Sequence, residues 1–124
     1  MYRVIVVDDE MLIRRRICLG FDWDKLGYKI AADVGDGREA LTMILSGACD
    51  LAIVDIAMPG MNGIELVRKL REAHNSTRVI FLTGHSDFAY AKEAIRYGVY
   101  SYILQPINLC AVGSPSRQQG TRRG

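Results

Sequence analysis

The chain has 124 residues, 49% of them hydrophobic and 24% charged, a balance ordinary for one soluble globular domain of a length that buries a core without disulfides or structural metal. Sixteen Lys and Arg against fourteen Asp and Glu give a net charge of +2. Three of those bases, Arg117, Arg122 and Arg123, lie in an acid-free stretch from Gly113 to Gly124, which leaves residues 1–112 at −1 and excludes a basic nucleic-acid-binding body.

The first apolar run, Val4–Val7, predicts a strand buried on both faces and ends in Asp8-Asp9-Glu10. It is too short for a secretory segment or a membrane span, and no later run is long enough. Ile13 and Ile17 mark a short amphipathic helix before Gly20, with Arg14-Arg15-Arg16 expected on its solvated side. In the following loop Trp23 reads as a packing residue. Tyr28, Ile30, Ala32 and Val34 then alternate with other residues, and a strand over Lys29–Val34 suits a sheet edge better than its centre. Asp36 stands where a helix N-cap is expected, followed by the stripe Ala40, Leu41, Ile44 and Leu45 and closed by Gly47.

Leu51–Val54 predicts a second buried strand and runs into Asp55. Pro59-Gly60 and Asn62-Gly63 punctuate the next loop. The stripe Leu66, Val67, Leu70 and Ala73 predicts a third helix, closed by His74, where partial positive charge suits the C-terminal dipole. Val79–Leu82 is another buried strand and leads to Thr83-Gly84. Asp87 then caps a helix marked by Phe88, Ala91 and Ile95, and Ser101–Leu104 forms the last strand, ending in Gln105-Pro106. His85 reads as an ordinary loop residue.

Strands separated by helices imply a parallel sheet covered on both faces, a doubly wound α/β fold. Cys18, Cys49 and Cys110 lie 31 and 61 residues apart, which matches neither a zinc site nor a redox pair, so all three read as small core or surface residues. With no targeting signal, the cytoplasm is the expected location.

In such a sheet ligands bind beyond the carboxyl ends of the strands. Asp8, Asp9 and Glu10 follow the first strand, Asp55 ends the third, and Thr83 ends the fourth, so carboxylates and a hydroxyl converge on one rim. Clustered carboxylates repel unless a proton or cation joins them. Oxygen donors of this kind suit Mg²⁺ beside a phosphate, and an aspartate held there can act as a nucleophile towards a phosphoryl group.

Val6-Val7-Asp8-Asp9-Glu10, the run from Val54-Asp55 through Met61-Asn62-Gly63, Thr83-Gly84, and Tyr102-Ile103-Leu104-Gln105-Pro106 closely resemble the receiver (CheY-like) domain of two-component response regulators. The resemblance covers residues 1–109. Phe21-Asp22-Trp23 through Gly27-Tyr28, and Ser86-Asp87-Phe88-Ala89-Tyr90-Ala91, are most similar to receivers of AraC-type transcriptional regulators. The resemblance implies a flavodoxin-like, five-stranded sheet of order 2-1-3-4-5. It implies Asp55 as the phosphoacceptor for a sensor histidine kinase. Mg²⁺ would be held by Asp9 directly, by Asp8 through water, by Asp55 and by the backbone carbonyl of Ala57. Thr83 would bind a phosphoryl oxygen and Tyr102 would change rotamer with it, carrying the change to an output surface.

Two positions depart from that family's pattern. Gln105 stands where the family has a lysine; its amide donates hydrogen bonds but brings no cation to the acidic rim. Two outcomes stay open: a receiver that is phosphorylated but switches poorly, or a pseudo-receiver acting only as a protein-interaction module. The second departure is the end of the chain. Ile107–Val112 could begin a fifth helix, but no apolar stripe continues it, and residues 110–124 read as a disordered, truncated or foreign tail. A missing fifth helix would expose apolar sheet and favour a homodimer or domain-swapped dimer. DNA binding would belong to a further C-terminal domain, and no membrane partner is expected.

The same residues argue against two other function classes. A haloacid-dehalogenase-like phosphatase uses such a nucleophile but carries a second acid two residues later, where this chain has Ala57. A flavodoxin-like cofactor carrier would have a phosphate-cradling loop after the first strand, where this chain has acids. A signalling switch, not an enzyme, is the expectation.

Overall fold

The computed structural model describes residues 1–83, residue 98 and residues 101–104, with the backbone alone for Thr83 and residues 101–104. The expected fourth helix with Asp87, the fifth helix, His85, Gln105, Cys110 and the tail lie outside the described residues. Within them the elements are β1 (Tyr2–Val7), α1 (Met11–Gly20), β2 (Tyr28–Val34), α2 (Gly37–Leu45), β3 (Leu51–Asp55), α3 (Gly63–Glu72), β4 (Arg78–Thr83) and β5 (Ser101–Leu104). The strands pair in parallel in the order β2-β1-β3-β4-β5, the flavodoxin-like arrangement expected.

The continuous apolar runs follow from burial on both faces, because successive side chains of a strand point to opposite sides. Ile5, Val7, Ala52, Val54, Val79 and Phe81 pack with Ala40 and Ile44 of α2 and Leu66, Val67 and Leu70 of α3. Their neighbours Val4, Val6, Leu51, Ile53, Ile80 and Leu82 pack with Ile17 of α1 and Trp23. Trp23 is a packing residue, as expected, and its indole N–H also donates to the Ile17 carbonyl at 3.0 Å. That bond satisfies one of the four carbonyls a helix leaves open at its C-terminus.

β2 lies at the sheet edge, in agreement with its alternating sequence, but the alternation does not mark a single face. Val4 pairs with Ile30 and Ile5 with Ala32, so the register skips Ala31. This extra residue moves the later side chains to the opposite side of the sheet. Tyr28 and Ile30 therefore pack with Ile17 and Trp23, whereas Ala32 and Val34 pack with the α2 and α3 core.

Helix ends follow local chemistry. Asp36 accepts from the Arg38 N–H at 2.9 Å, as expected, and Asn62 does the same for Glu65 at 2.9 Å. α2 and α3 end in the same hydrogen-bond pattern. Gly47 N–H donates to Ile44 and Ala48 to Met43; His74 donates to Arg71 and Asn75 to Leu70. This cap places its turning residue at positive φ, 84° for Gly47 and 59° for His74. His74 thus lies just beyond α3 and holds a left-handed backbone that glycine adopts without strain.

Candidate functional site: an acidic pocket at the carboxyl edge of the sheet

The register of two central strands builds this site. Val7 of β1 pairs with Val54 of β3, so Asp8 and Asp55, each the next residue, emerge side by side at the carboxyl edge. Asp9 follows in the turn into α1. Ligand oxygens of Asp8, Asp9 and Asp55 all lie within 4.8 Å of one another. These are three of the four acids that the sequence places at this rim; Glu10 is exposed and not among the three that meet. Their environments differ: Asp8 is fully buried, Asp9 exposed and Asp55 half-buried.

Asp8 has no exposed surface. Its Oδ1 accepts from the Glu10 N–H at 2.8 Å, while its buried Oδ2 has no hydrogen-bond partner among the described residues. Burial pushes its carboxyl from the usual 3.8 up to about 6; the Glu10 N–H opposes this, the charges of Asp9 and Glu10 add to it, and Arg14 opposes it. A buried carboxylate with one unpartnered oxygen, grouped with two more carboxylates, fits a hard cation with oxygen ligands.

On the β3 side, Asp55 Oδ1 accepts from the Ala57 N–H at 3.3 Å, and Ile56 donates from its N–H to the Leu82 carbonyl at 3.2 Å. The loop that follows is held close by α3. Gly63 N–H donates to the Ile56 carbonyl at 3.0 Å, and a Cβ on Gly63 would sit 2.7 Å from the Asp55 carbonyl oxygen and 3.1 Å from Phe81. Only a glycine lets the start of α3 approach the end of β3 so closely.

Asp55 pairs in register with Leu82, so Thr83 follows at the same edge, and Thr83 pairs with Leu104. Tyr102 lies opposite Phe81, in the middle of β5. Gln105 directly follows Leu104 and is outside the described residues.

Arg14 corrects the expectation of a wholly solvated Arg14-Arg15-Arg16 run. Arg15 and Arg16 are exposed, but the Arg14 side chain retains only 16% exposure. Its Nη1 donates to the Asp8 carbonyl at 2.6 Å and its Nε to Asp33 Oδ2 at 3.0 Å. The sequence contained a signal for this, since residue 14 lies one turn before buried Ile17 on the same helix face. Cys49 is buried and Cys18 half-buried; burial raises both thiols, Cys49 to about 11, which suits packing and not reactivity. No helix among the described residues is long and apolar enough to cross a membrane.

Comparison with known proteins agrees with this geometry. The family model described as the response regulator receiver domain matches residues 4–112. The uncharacterized transcriptional regulatory protein YesN of Bacillus subtilis is 37% identical over 108 residues, covering 87% of this chain and 29% of that protein. The transcriptional regulatory protein HptR of Staphylococcus aureus is 34% identical over 108 residues, 87% of this chain and 42% of that protein. The chain thus spans less than half the length of these curated relatives. Among solved structures, the receiver domain of AraT, a response regulator from Geobacillus stearothermophilus, superposes with a TM-score of 0.84 at 34% identity, covering 98% of this chain and 97% of that one. A two component transcriptional regulator AraC from Clostridium phytofermentans gives 0.78 at 30% identity, covering 99% and 92%.

Proposed function

This chain belongs to the response regulator receiver domains, and on that premise we propose that it is the phosphoacceptor module of a transcriptional regulator, phosphorylated on Asp55 by a sensor histidine kinase. The observation that carries the reading is the meeting of Asp8, Asp9 and Asp55 within 4.8 Å at the sheet edge, with Asp8 Oδ2 buried and unpartnered. Asp8, Asp9 and Asp55, with the Ala57 carbonyl, would hold Mg²⁺. When bound, the ion supplies positive charge for the carboxylates and for the phosphoryl oxygens.

The chain's own residues divide the remaining work. A carboxylate oxygen of Asp55 attacks phosphorus, the bond from phosphorus to the donor breaks, and its electron pair leaves with the donor. The product is an acyl phosphate on Asp55. The Ala57 N–H, 3.3 Å from Asp55 Oδ1, favours one orientation of the attacking carboxylate. Thr83 would donate to a phosphoryl oxygen and Tyr102 would follow it, changing the surface near β4 and β5. Phosphorylation adds charge and three strong acceptors at this point. The output would reach DNA through a C-terminal domain, with a homodimer or domain-swapped dimer as the assembly. A cytoplasmic protein fits this role.

Gln105 favours a second reading, a pseudo-receiver that binds partners without a productive switch, because its amide cannot supply the positive charge of a lysine. Intact mass after incubation with Mg²⁺ and a small-molecule phosphodonor separates the two. The first reading expects one phosphoryl adduct on the parent that is absent from Asp55→Asn. An adduct on Gln105→Lys but none on the parent would establish the second.

A further inference from the structure

We infer that Arg14 is a positioning residue for the acidic pocket, fixing the Asp8–Asp9 turn through the Asp8 carbonyl and thereby setting the affinity for Mg²⁺. The inference rests on the proposed Mg²⁺ pocket.

Two hydrogen bonds hold Arg14 in place, and a glycine leaves it room. Its Nη1 donates to the Asp8 carbonyl oxygen at 2.6 Å. Its Nε donates to Asp33 Oδ2 on β2 at 3.0 Å, with side-chain exposures of 16% and 45%. Gly35, just after β2, leaves the guanidinium its space, since a Cβ there would lie 2.9 Å from Nη1. One side chain from α1 thus joins the end of β1 to the end of β2.

The Asp8 carbonyl belongs to the peptide linking Asp8 to Asp9. Its orientation fixes where both carboxylates point, one buried and one exposed. The preceding peptide, between Val7 and Asp8, is held to the end of β2 by the Asp8 N–H, which donates to the Val34 carbonyl at 3.0 Å. Without Arg14 the carbonyl loses a charge-assisted bond, and the turn can rotate away from the arrangement in which three carboxylates share one ion. Partners that orient metal ligands commonly set affinity by about ten- to a hundredfold when removed.

The alternative is that Arg14 acts by charge. Its cation would then repel Mg²⁺, and its removal would tighten binding. Ion pairing with Asp33 offsets that charge, so the positioning effect dominates and removal weakens binding.

Two variants test this on the full chain. Arg14→Gln removes the cation and the reach to the carbonyl. Gly35→Ala keeps every charge and displaces only the flexible end of Arg14, while its Cβ meets the Asp8 carbonyl oxygen at an ordinary 3.6 Å. Mg²⁺ titration by calorimetry gives the Kd, and urea unfolding without Mg²⁺ gives the stability of each protein. The expected result is a Kd raised about tenfold in both variants. An unchanged or lower Kd in either variant, even with a lower urea midpoint, would overturn the inference and leave Arg14 as a structural tie. A parent that binds no Mg²⁺ would instead overturn the reading of the pocket on which the inference rests.

Discussion

Asp8→Asn tests the electrostatics of the pocket through folding alone. The carboxyl of Asp8 is fully buried and its affinity for a proton is raised, from the usual 3.8 to about 6. Between those values the folded chain holds more protons at this site than the unfolded chain, so the site's contribution to stability falls as pH rises through the window. Above about pH 6 the folded state carries an ionised carboxylate with a buried, unpartnered Oδ2. At about 1.4 kcal/mol per tenfold change in proton affinity, the cost at neutral pH is at most about 3 kcal/mol. Asn keeps the shape and the acceptor for the Glu10 N–H and carries no charge. Urea unfolding with EDTA, at intervals from pH 4 to pH 8, measures the difference. The variant should gain on the parent as pH rises, level above about pH 7, and end about 1 to 3 kcal/mol ahead of its position at pH 4. Adding Mg²⁺ at pH 8 should raise the midpoint of the parent and not that of the variant, since a ligand stabilises only the state that binds it. Parallel pH profiles for the two proteins would refute the argument.

Three further changes test the two helices packed on one face of the sheet, the last of them at the pocket itself. His74→Gly relieves the left-handed backbone at φ 59°; set against the greater freedom of glycine in the unfolded chain, a net gain of about 0.5 to 1 kcal/mol is expected in the urea midpoint. Gly47→Ala, at φ 84° in the matching cap of α2, should lose about 1 kcal/mol by the same measurement, and a loss at both sites would show that the shared cap geometry is not the cause. Gly63→Ala forces a Cβ to 2.7 Å from the Asp55 carbonyl oxygen, so a loss of about 1 to 3 kcal/mol is expected, with shifted amide resonances at residues 55–57 in NMR spectra; an unperturbed β3 end would contradict the close approach.

Much of this architecture was legible because each layer of the sequence pointed the same way. Val4–Val7 and Leu51–Val54 are apolar at every position because helices cover both faces, and their adjacency brings Asp8 beside Asp55 once the register is in phase. The strand-end position of each carboxylate was therefore visible, but the differences among them were not. Burial and the missing partner of Asp8 Oδ2 depend on how the turn packs, which no local pattern encodes. β2 shows the same limit: its period-two spacing marks an edge strand, yet carries no sign of the register skip at Ala31 that divides it between two cores. Asn62 read as turn punctuation and is in fact the N-cap of α3. Arg14 was the hardest to see, because three consecutive arginines present identical side chains and only helical phase separates them. Ile17 supplies that phase. Residue 14 lies on its side of α1, while Arg15 and Arg16 turn to solvent. The guanidinium then meets the two features that make its position specific, the Asp33 carboxylate of the edge strand and the bare Gly35 just after it, both 19 or more residues along the chain. A residue whose role depends on such non-local partners reads as surface charge until the fold brings them together.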